Sequence, residues 1–243
     1  MTIEESNHRI ESLWGAYFNS PVDDFSREGT TLLPRERLEA QGVVHVVYIR
    51  RRALAEIDPA LEAEVRRVLT QAGGRPVLSS ELVRRVWGEA HIPEVQAGLI
   101  FHLRPGELVR PDLDAGFSLR RLTPDDQAAL ESLRRRCTAY EIEDAFVELD
   151  HEIGWGCFKG GQLTAAGSGH RRNGFMDYGV LTDPEFRGHG LARHVVCGLS
   201  DDTLERGLIA QYRCNRVNKA SRRVAQAAGF TLYFTTESMK LTG

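Results

Sequence analysis

The segment Val180–Arg193 constrains the fold of this chain more than any other. It begins in a predicted strand that ends at Thr182, and an Asp-Pro pair then turns the chain. Gly188 and Gly190 follow and open an amphipathic helix. Because the first backbone N–H groups of a helix lack internal partners and lie at the positive end of its dipole, this unit predicts an anion site. Glycine lets a ligand approach that backbone, and a pyrophosphate is the natural guest.

The glycine spacing separates this loop from two other phosphate-binding motifs. No Lys-Ser or Lys-Thr pair follows the glycines, as a P-loop requires, and the Gly-x-Gly-x-x-Gly spacing of dinucleotide folds is absent. Arg187 and Arg193 add positive charge on either side. Taken alone, such a glycine pair more commonly just starts a helix, so the context decides between a structural turn and a binding loop.

The context is a longer pattern within the loop. Arg187, Gly190 and Ala192 fit the order Arg or Gln, two residues, Gly, one residue, then Gly or Ala. The segment therefore resembles the acetyl-CoA-binding signature of the GNAT superfamily of N-acetyltransferases.

A second feature of that family lies farther along the chain. Asn218 stands eleven residues before Gly229, which a Phe follows, as in the Asn and Gly-Phe pattern of the family's penultimate helix. Ser221 occupies a position where the family has a small residue. The resemblance covers about residues 117–241, half of the chain, and does not extend to residues 1–115.

The order of the predicted elements agrees with this resemblance. From residue 117 onward, strand alternation, glycine turns and helix caps predict the order β-α-α-β-β-β-α-β-α-β. We therefore expect an α/β (α+β) fold with a mixed, mostly antiparallel central sheet flanked by helices, like the GNAT fold, and an additional small N-terminal α/β domain.

The stretch 104–116 predicts a domain boundary, because it is polar and holds two prolines and two glycines. We expect an N-terminal α/β domain of unknown role at 1–112 and a GNAT-like domain at 117–243. In the first, Val43–Ile49 predicts a strand and Pro59–Gln71 a helix. Such a domain could cover the acceptor cleft, mediate a homodimer or be a decayed copy of the same fold.

The resemblance implies an N-acetyltransferase that moves an acetyl group from acetyl-CoA, its co-substrate, to a primary amine by direct attack. The amides of residues 188–193 would hold the pyrophosphate, and backbone groups of Val180 and Thr182 would bind the pantetheine arm. The strand ending at Thr182 would part from the strand Leu208–Cys214, and an amide there would polarise the thioester carbonyl. The expected cofactor-binding residues are Val180, Leu181, Thr182, Arg187, Gly188, His189, Gly190, Leu191, Ala192, Arg193, Asn218 and Ser221.

Two departures from the family pattern leave the catalytic groups open. Many members carry a Tyr seven residues after the Asn to protonate the leaving thiolate, but this chain has Ala225 there. Tyr212 on the adjacent strand is the nearest substitute, and its alternative role is a core or cleft-lining aromatic. Asp177 falls near the place where some members hold a general base, and its alternative role is structural. Because strand residues alternate, only one of Asp177 and Tyr178 can face the cleft.

The acceptor amine could be a small metabolite, a polyamine or a peptide N-terminus. Six acids between Glu141 and Glu152 lie where the family's first two helices usually frame the acceptor, and they could attract a cationic amine. A solvated helix face explains them equally well. The alternative function is a non-catalytic acyl-CoA-binding sensor module, which the missing tyrosine keeps open.

Composition argues against nucleic-acid binding, a membrane span, a metal site and secretion. A net charge of −3 and a pI of about 6.3 lack the basic bias of a nucleic-acid binder, and no apolar run approaches the length of a membrane span. The four cysteines form no Cys-x-x-Cys pair and the eight histidines no His-Glu-x-x-His motif, so we expect no metal. The polar N-terminus shows no signal-peptide pattern, so a cytoplasmic location is expected.

Overall fold

The computed structural model describes residues 2–241, with every side chain among them except that of Asp24. No helix in this part of the chain is both long and apolar enough to cross a membrane. Contacts between residues divide the chain into two compact units. The first unit holds residues up to 7 together with 101–213 and 218–231, and the second holds 8–100, 214–217 and the residues from 232 on.

The described residues contain seven α-helices and ten strands, and short 3-10 turns join several of these elements. The first part of the chain contains α1 (Ile3–Phe18), β1 (Gly29–Pro34), β2 (Val43–Ile49), β3 (Arg52–Ile57), α2 (Glu62–Ala72), α3 (Ser80–Trp87) and β4 (Glu94–His102). The later part contains β5 (Phe117–Arg121), α4 (Gln127–Arg134), α5 (Ala139–Ala145), β6 (Ile153–Lys159), β7 (Gln162–Arg172), β8 (Phe175–Thr182), α6 (Leu191–Glu205), β9 (Ala210–Asn215), α7 (Lys219–Ala227) and β10 (Thr231–Lys240).

The second unit is built on strands in the order β1-β3-β2-β10-β4. β1 runs parallel to β3, and β2 runs antiparallel to both β3 and β10. Alternate residues of β2, Val44 and Val46, share a buried core with Val65 and Val68 of α2 and Leu82 of α3. Because side chains alternate along a strand, Val44 and Val46 mark the face of β2 that the helices cover.

The first unit contains a sheet in the order β9-β8-β7-β6-β5. Only the pair β8–β9 is parallel, and the other pairs are antiparallel. Successive residues of β7 face opposite helices: Ala166 belongs to a core with Leu133 of α4, whereas a Cβ on Gly167 would lie 2.6 Å from Val195 of α6. A mixed, mostly antiparallel sheet with helices on both faces confirms the predicted fold class and the predicted order of elements from residue 117 onward.

The last strand groups with the N-terminal residues. β10 pairs antiparallel with β2, with Glu237 opposite Val46, and its residues from 232 on belong to the second unit. Strand pairing over such a sequence separation leaves no local pattern, so the expected division into 1–112 and 117–243 does not anticipate it. A separate N-terminal domain stays a prediction.

Residues 104–116, which predicted a linker, pack within the first unit. The Val109 N–H donates to the Ala228 carbonyl at 3.1 Å, and the Val109 carbonyl accepts from Arg193 Nη2 at 3.0 Å. The segment is therefore held along α6 and α7 by its backbone. The close approach explains Gly229, because a Cβ there would lie 1.8 Å from the Glu107 carbonyl oxygen.

We predict that Gly229→Ala destabilises the protein far more than Gly207→Ala. Both glycines follow a helix with positive φ, +96° and +65°, but nothing lies within 4 Å of a Cβ on Gly207. Both variants bear the backbone strain, and only Gly229→Ala adds overpacking of about 1–3 kcal/mol. Urea unfolding measures the difference, and equal losses in the two variants would contradict the close packing at Gly229.

Candidate functional site

The site begins where β8 and β9 separate. The two strands pair over three rows, from Met176 opposite Ala210 to Tyr178 opposite Tyr212, and pairing ends there although both strands continue. A parallel pair that stops short leaves backbone groups on both strands facing a gap. The parting of the strand that ends at Thr182 from its neighbour, expected from the family resemblance, is present.

The backbone of β8 shows which residues face that gap. The Met176 N–H donates to the Ile209 carbonyl at 2.9 Å, so Met176 directs its backbone groups toward β9. Because these groups alternate along a strand, Val180 and Thr182 direct theirs to the same side. The two residues expected to bind a pantetheine arm are therefore the ones whose backbone faces the gap. The Thr182 carbonyl also accepts from Arg187 Nε and Nη2, both at 3.3 Å.

A buried carboxylate fixes the turn that follows β8. Asp183 is fully buried; its Oδ1 accepts from the Glu185 N–H at 3.1 Å, and its Oδ2 accepts from Arg136 Nε at 2.5 Å and from Gln162 Nε2 at 3.2 Å. One side chain thus joins the turn to the segment that follows α4 and to β7. The sequence predicts a turn at Asp183-Pro184, and no pattern in it marks Arg136 as the partner of Asp183.

The glycine loop presents free backbone donors at the start of α6. Gly188 and Gly190 have φ of +88° and +72°, and no atom lies within 4 Å of a Cβ built on either. The Arg193 N–H donates to the Gly190 carbonyl at 2.9 Å. Within the described residues, none of the amides of residues 188–192 has an acceptor. Five donors at a helix N-terminus, in open space, form a cradle for an anion such as a pyrophosphate.

A cavity of about 560 Å³ extends from this loop along the gap between β8 and β9. Helix α5 forms one wall and α7 another. Almost all the expected cofactor-binding residues line it, with Tyr212 beside them, whereas His189 and Asp177 do not. The lining residues are Tyr140, Glu141, Asp144, Ala145, Val180, Leu181, Thr182, Phe186, Arg187, Gly188, Gly190, Leu191, Ala192, Arg193, Tyr212, Asn218, Ala220, Ser221, Arg223, Val224 and Ala227.

The sequence does not predict that α5 lines this cavity. Glu141 pairs with Arg187 at 2.7 Å, and Asp144 Oδ2 accepts from Asn218 Nδ2 at 3.3 Å. A Thr138-x-x-Glu141 capping box fixes the start of α5, and its backbone hydrogen bond is the main cause that lowers the pKa of Glu141. That capping box was legible in the sequence and would have placed Glu141 at a helix start, although its contact with Arg187 was not.

Several expected residues serve other partners. The Arg193 side chain donates to the Val109 carbonyl, and exposed His189 lies 3.8 Å from Asp114, between Nδ1 and Oδ2. Asn218 caps α7, because its Oδ1 accepts from the Ser221 N–H at 3.0 Å. Asn218, one end of the spacing that resembles the family pattern, thus has a structural role as the cap at the start of α7.

Asp177 and Tyr178 point to opposite faces of the sheet. Asp177 is buried and ion-paired, with its Oδ2 2.8 Å from Arg213 Nε and its Oδ1 3.2 Å from Gln211 Nε2. The Tyr178 hydroxyl lies 2.7 Å from Thr203 Oγ1 in α6, and burial raises its pKa. The expected alternation is therefore present, and Asp177 is tied up in an ion pair away from the cavity lining.

Comparison with known proteins identifies the class of fold. The structure of a GCN5-related N-acetyltransferase from Sphaerobacter thermophilus shares it at a TM-score of 0.55, with 15% identity over 83% of this chain and 78% of that chain. An acetyltransferase from the GNAT family of Colwellia psychrerythraea gives 0.51, with 14% identity over 79% and 77%. No curated protein matches the sequence.

The family follows from the sequence itself. A family model described as GNAT acetyltransferase matches residues 104–238, more than half of the 243 residues. The chain therefore belongs to the GNAT acetyltransferase family, and acyl transfer is its class of chemistry.

We predict that Asp183→Ala lowers the free energy of unfolding by about 3 kcal/mol, because it leaves the guanidinium of Arg136 without its buried partner. The matched control is Asp201→Ala, which breaks the exposed ion pair with Arg110. Exposed pairs contribute about 0–1 kcal/mol, so the control should change little. Urea unfolding of both variants decides, and a small effect of Asp183→Ala would show that the turn does not depend on its carboxylate.

Proposed function

We propose that the chain is an N-acetyltransferase that moves an acetyl group from acetyl-CoA to a primary amine by direct attack. The observation that carries this proposal is the row of free amides at residues 188–192, next to the parted strands β8 and β9. A diphosphate with a long flexible arm fits the two features together, the diphosphate on the amides and the arm in the gap.

The residues present fit this co-substrate. The amides of residues 188–192 bind the pyrophosphate oxygens, and Arg187 adds a positive charge at the edge of the cavity. The backbone groups of Val180 hydrogen-bond the amides of the pantetheine arm, as a third strand would. An amide of β8 at the gap donates to the thioester oxygen, an interaction typically worth about 3 kcal/mol in the transition state.

Tyr212 is the group we propose for protonation of the departing thiolate. It is buried, lines the cavity and belongs to the last paired row before the strands part. Ala225, where many family members have a tyrosine, is fully buried in α7, and its methyl side chain cannot donate a proton. Asp177 does not line the cavity, and its carboxylate is paired with Arg213.

Calorimetric titration tests the co-substrate directly. We expect purified protein to bind acetyl-CoA and to bind NAD and ATP much more weakly, because the gap accepts an arm that neither nucleotide has. Equal binding of all three would mean that the loop holds phosphate without selecting the arm, and no binding would reduce it to a structural turn.

The variant Gly190→Val tests the anion cradle. A β-branched residue at φ +72° is strained, and its side chain fills the space in front of the free amides, so acetyl-CoA binding should be lost. Gly160→Val is the matched control: Gly160 has φ +55°, also with nothing within 4 Å, but lies in the β6–β7 turn away from the cavity. Unchanged acetyl-CoA affinity in Gly190→Val would contradict the proposal that the amides of residues 188–192 bind the pyrophosphate.

The variant Tyr212→Phe tests the proposed acid. Loss of a general acid typically costs 100-fold or more in rate, so we expect kcat to fall about 100-fold while the acetyl-CoA dissociation constant stays within twofold. Steady-state kinetics and calorimetry measure the two quantities. An unchanged kcat would mean that Tyr212 only lines the cavity and that water protonates the thiolate.

A second function, a non-catalytic acyl-CoA sensor, is favoured by one observation: Ala225 replaces the tyrosine with which many members protonate the thiolate. The two functions share the binding site and differ in turnover. Acetyl-CoA binding without thiol release on any primary amine would support the sensor.

A further inference from the structure

A pair of histidines lies on the sheet face opposite α6, outside the cavity lining. His170 of β7 is directly opposite Asp177 of β8, and the ring of His151 lies 4.8 Å from that of His170. Phe146, at the end of α5, packs edge-on against both rings at 4.9 Å and 5.4 Å. We call His151, His170 and Phe146 the imidazole cluster. The fold of the sheet does not require two titratable rings at this place.

Phe146 shows two features that are uncommon for a large apolar residue. It is 53% exposed and adopts the left-handed conformation, with φ 45° and ψ 50°. Such backbone costs about 1–3 kcal/mol for a residue other than glycine and is concentrated at functional sites. Its position is fixed because α5 ends on β8: a Cβ on Gly179 would lie 1.7 Å from the Ala145 carbonyl oxygen.

Two buried polar atoms beside Asp177 lack a partner in the described residues. They are Nδ1 of His170 and Oε1 of Gln211, and Gln211 is only 1% exposed. His170, Asp177 and Gln211 form one row across β7, β8 and β9, on one face of the sheet. Buried polar atoms are nearly always hydrogen-bonded, so two orphans in one row indicate a polar partner that comes from outside the chain.

This row lies next to the point where the strands part. The following row, Tyr178 with Tyr212, is the last paired one, and the residues after it face the gap. One residue along a strand advances about 3.3 Å, so the row ends close to the place proposed for the thioester. The side chains of the row point to the face opposite α6, the helix whose N-terminus forms the anion cradle.

We propose that His170 is the general base of the reaction and that the acceptor amine enters from the face of the imidazole cluster. This inference rests on the proposed acetyl transfer. The neutral imidazole of His170 takes one proton from the acceptor ammonium, directly or through one water. The nitrogen lone pair of the amine then attacks the thioester carbonyl carbon, a C–N bond forms and the C–S bond breaks. The second nitrogen proton passes to the thiolate through the proposed acid, and the imidazolium returns its proton to solvent.

His170 suits this role better than its neighbours. Asp177 is paired with Arg213, and Nδ1 of His151 is engaged with Ser168 Oγ at 2.8 Å. Burial lowers the pKa of His170 below its ordinary value of 6.5, and Asp177 opposes this shift, while His151, Arg213 and Arg172 reinforce it. The ring is therefore neutral at pH 7 and can accept a proton.

Two acidic residues near the imidazole cluster affect the protonation of its histidines. Burial is also the main cause that lowers the pKa of His151, and Asp150 and Glu148 oppose that shift. These two acids lie between α5 and β6, and they favour the approach of an ammonium. As pH falls through the lowered pKa of His170, the base becomes protonated, so the low-pH limb of the rate should lie below pH 6.5.

The test compares His170→Gln with His151→Gln, the same change on the adjacent ring. Thiol release from acetyl-CoA is followed from pH 5 to 9 with n-butylamine, putrescine, benzylamine and a tripeptide as acceptors, and calorimetry gives acetyl-CoA affinity. We expect kcat in His170→Gln to fall at least 100-fold with acetyl-CoA affinity within twofold, and the low-pH limb to disappear. In His151→Gln kcat should fall at least tenfold less than in His170→Gln, because His151 does not take the proton. Added imidazole should restore part of the rate of His170→Ala.

Each other outcome overturns the assignment and shows where it fails. If His170→Gln keeps kcat within threefold, acetyl transfer stands and His170 is not the base. If kcat falls but imidazole restores nothing and the low-pH limb stays, His170 has only a structural role. If acetyl-CoA binds but no amine is acetylated, the acceptor half of the proposed function fails together with the base. If acetyl-CoA does not bind, the proposed function itself is wrong.

Discussion

The candidate site depends on the parting of β8 from β9 after the row of Tyr178 and Tyr212. A buried backbone group without a partner costs about 1–3 kcal/mol, so a strand that leaves its neighbour must find other partners or present its groups to a ligand. Thr182 uses the first solution, since its carbonyl accepts from Arg187. Val180 uses the second, because its groups face the cavity. The backbone groups of β8 at the gap can therefore hydrogen-bond a ligand amide, as they would a neighbouring strand.

Two close contacts hold the parted strand in place. Gly179 lets the end of α5 rest on β8, where any side chain would meet the Ala145 carbonyl. Asp183, at the other end, is buried and joins the turn to Arg136 and Gln162. β8 is thus fixed on one face by the packing of α5 against Gly179 and at its end by the buried carboxylate of Asp183. Neither contact involves β9, so the strands can diverge without loosening β8.

Local chemistry made much of this site predictable. The glycine loop and the alternation along β8 each depend on a few consecutive residues, and the structure has both where the patterns placed them. The gap was expected from the family resemblance, and it is present. The role of Asp177 was not predictable in this way. Its partner Arg213 lies on another strand, and only the parallel register of β8 and β9 brings the two together.

The same limit applies wherever a contact joins distant parts of the chain. No local pattern linked Glu141 to Arg187, placed the last strand beside β2, or aligned His170 with Asp177 and Gln211. Sequence patterns report the period of an element and the chemistry of its ends, and they leave the register between elements undetermined. Residues that act through neighbours on other strands therefore escape such patterns, while residues that act through their own backbone do not.

The ion pair between Glu141 and Arg187 raises the question of whether it competes with phosphate for the motif arginine. The two side chains are 31% and 48% exposed, and such a pair contributes about 0–1 kcal/mol. Charge-assisted hydrogen bonds from a guanidinium to a phosphate are stronger, and the free amides of residues 188–192 act at the same place. The pair is therefore too weak to exclude a pyrophosphate from the proposed cradle. Helix α5 keeps its place beside the cavity through its close contact with Gly179, so a ligand can replace the ion pair at little cost.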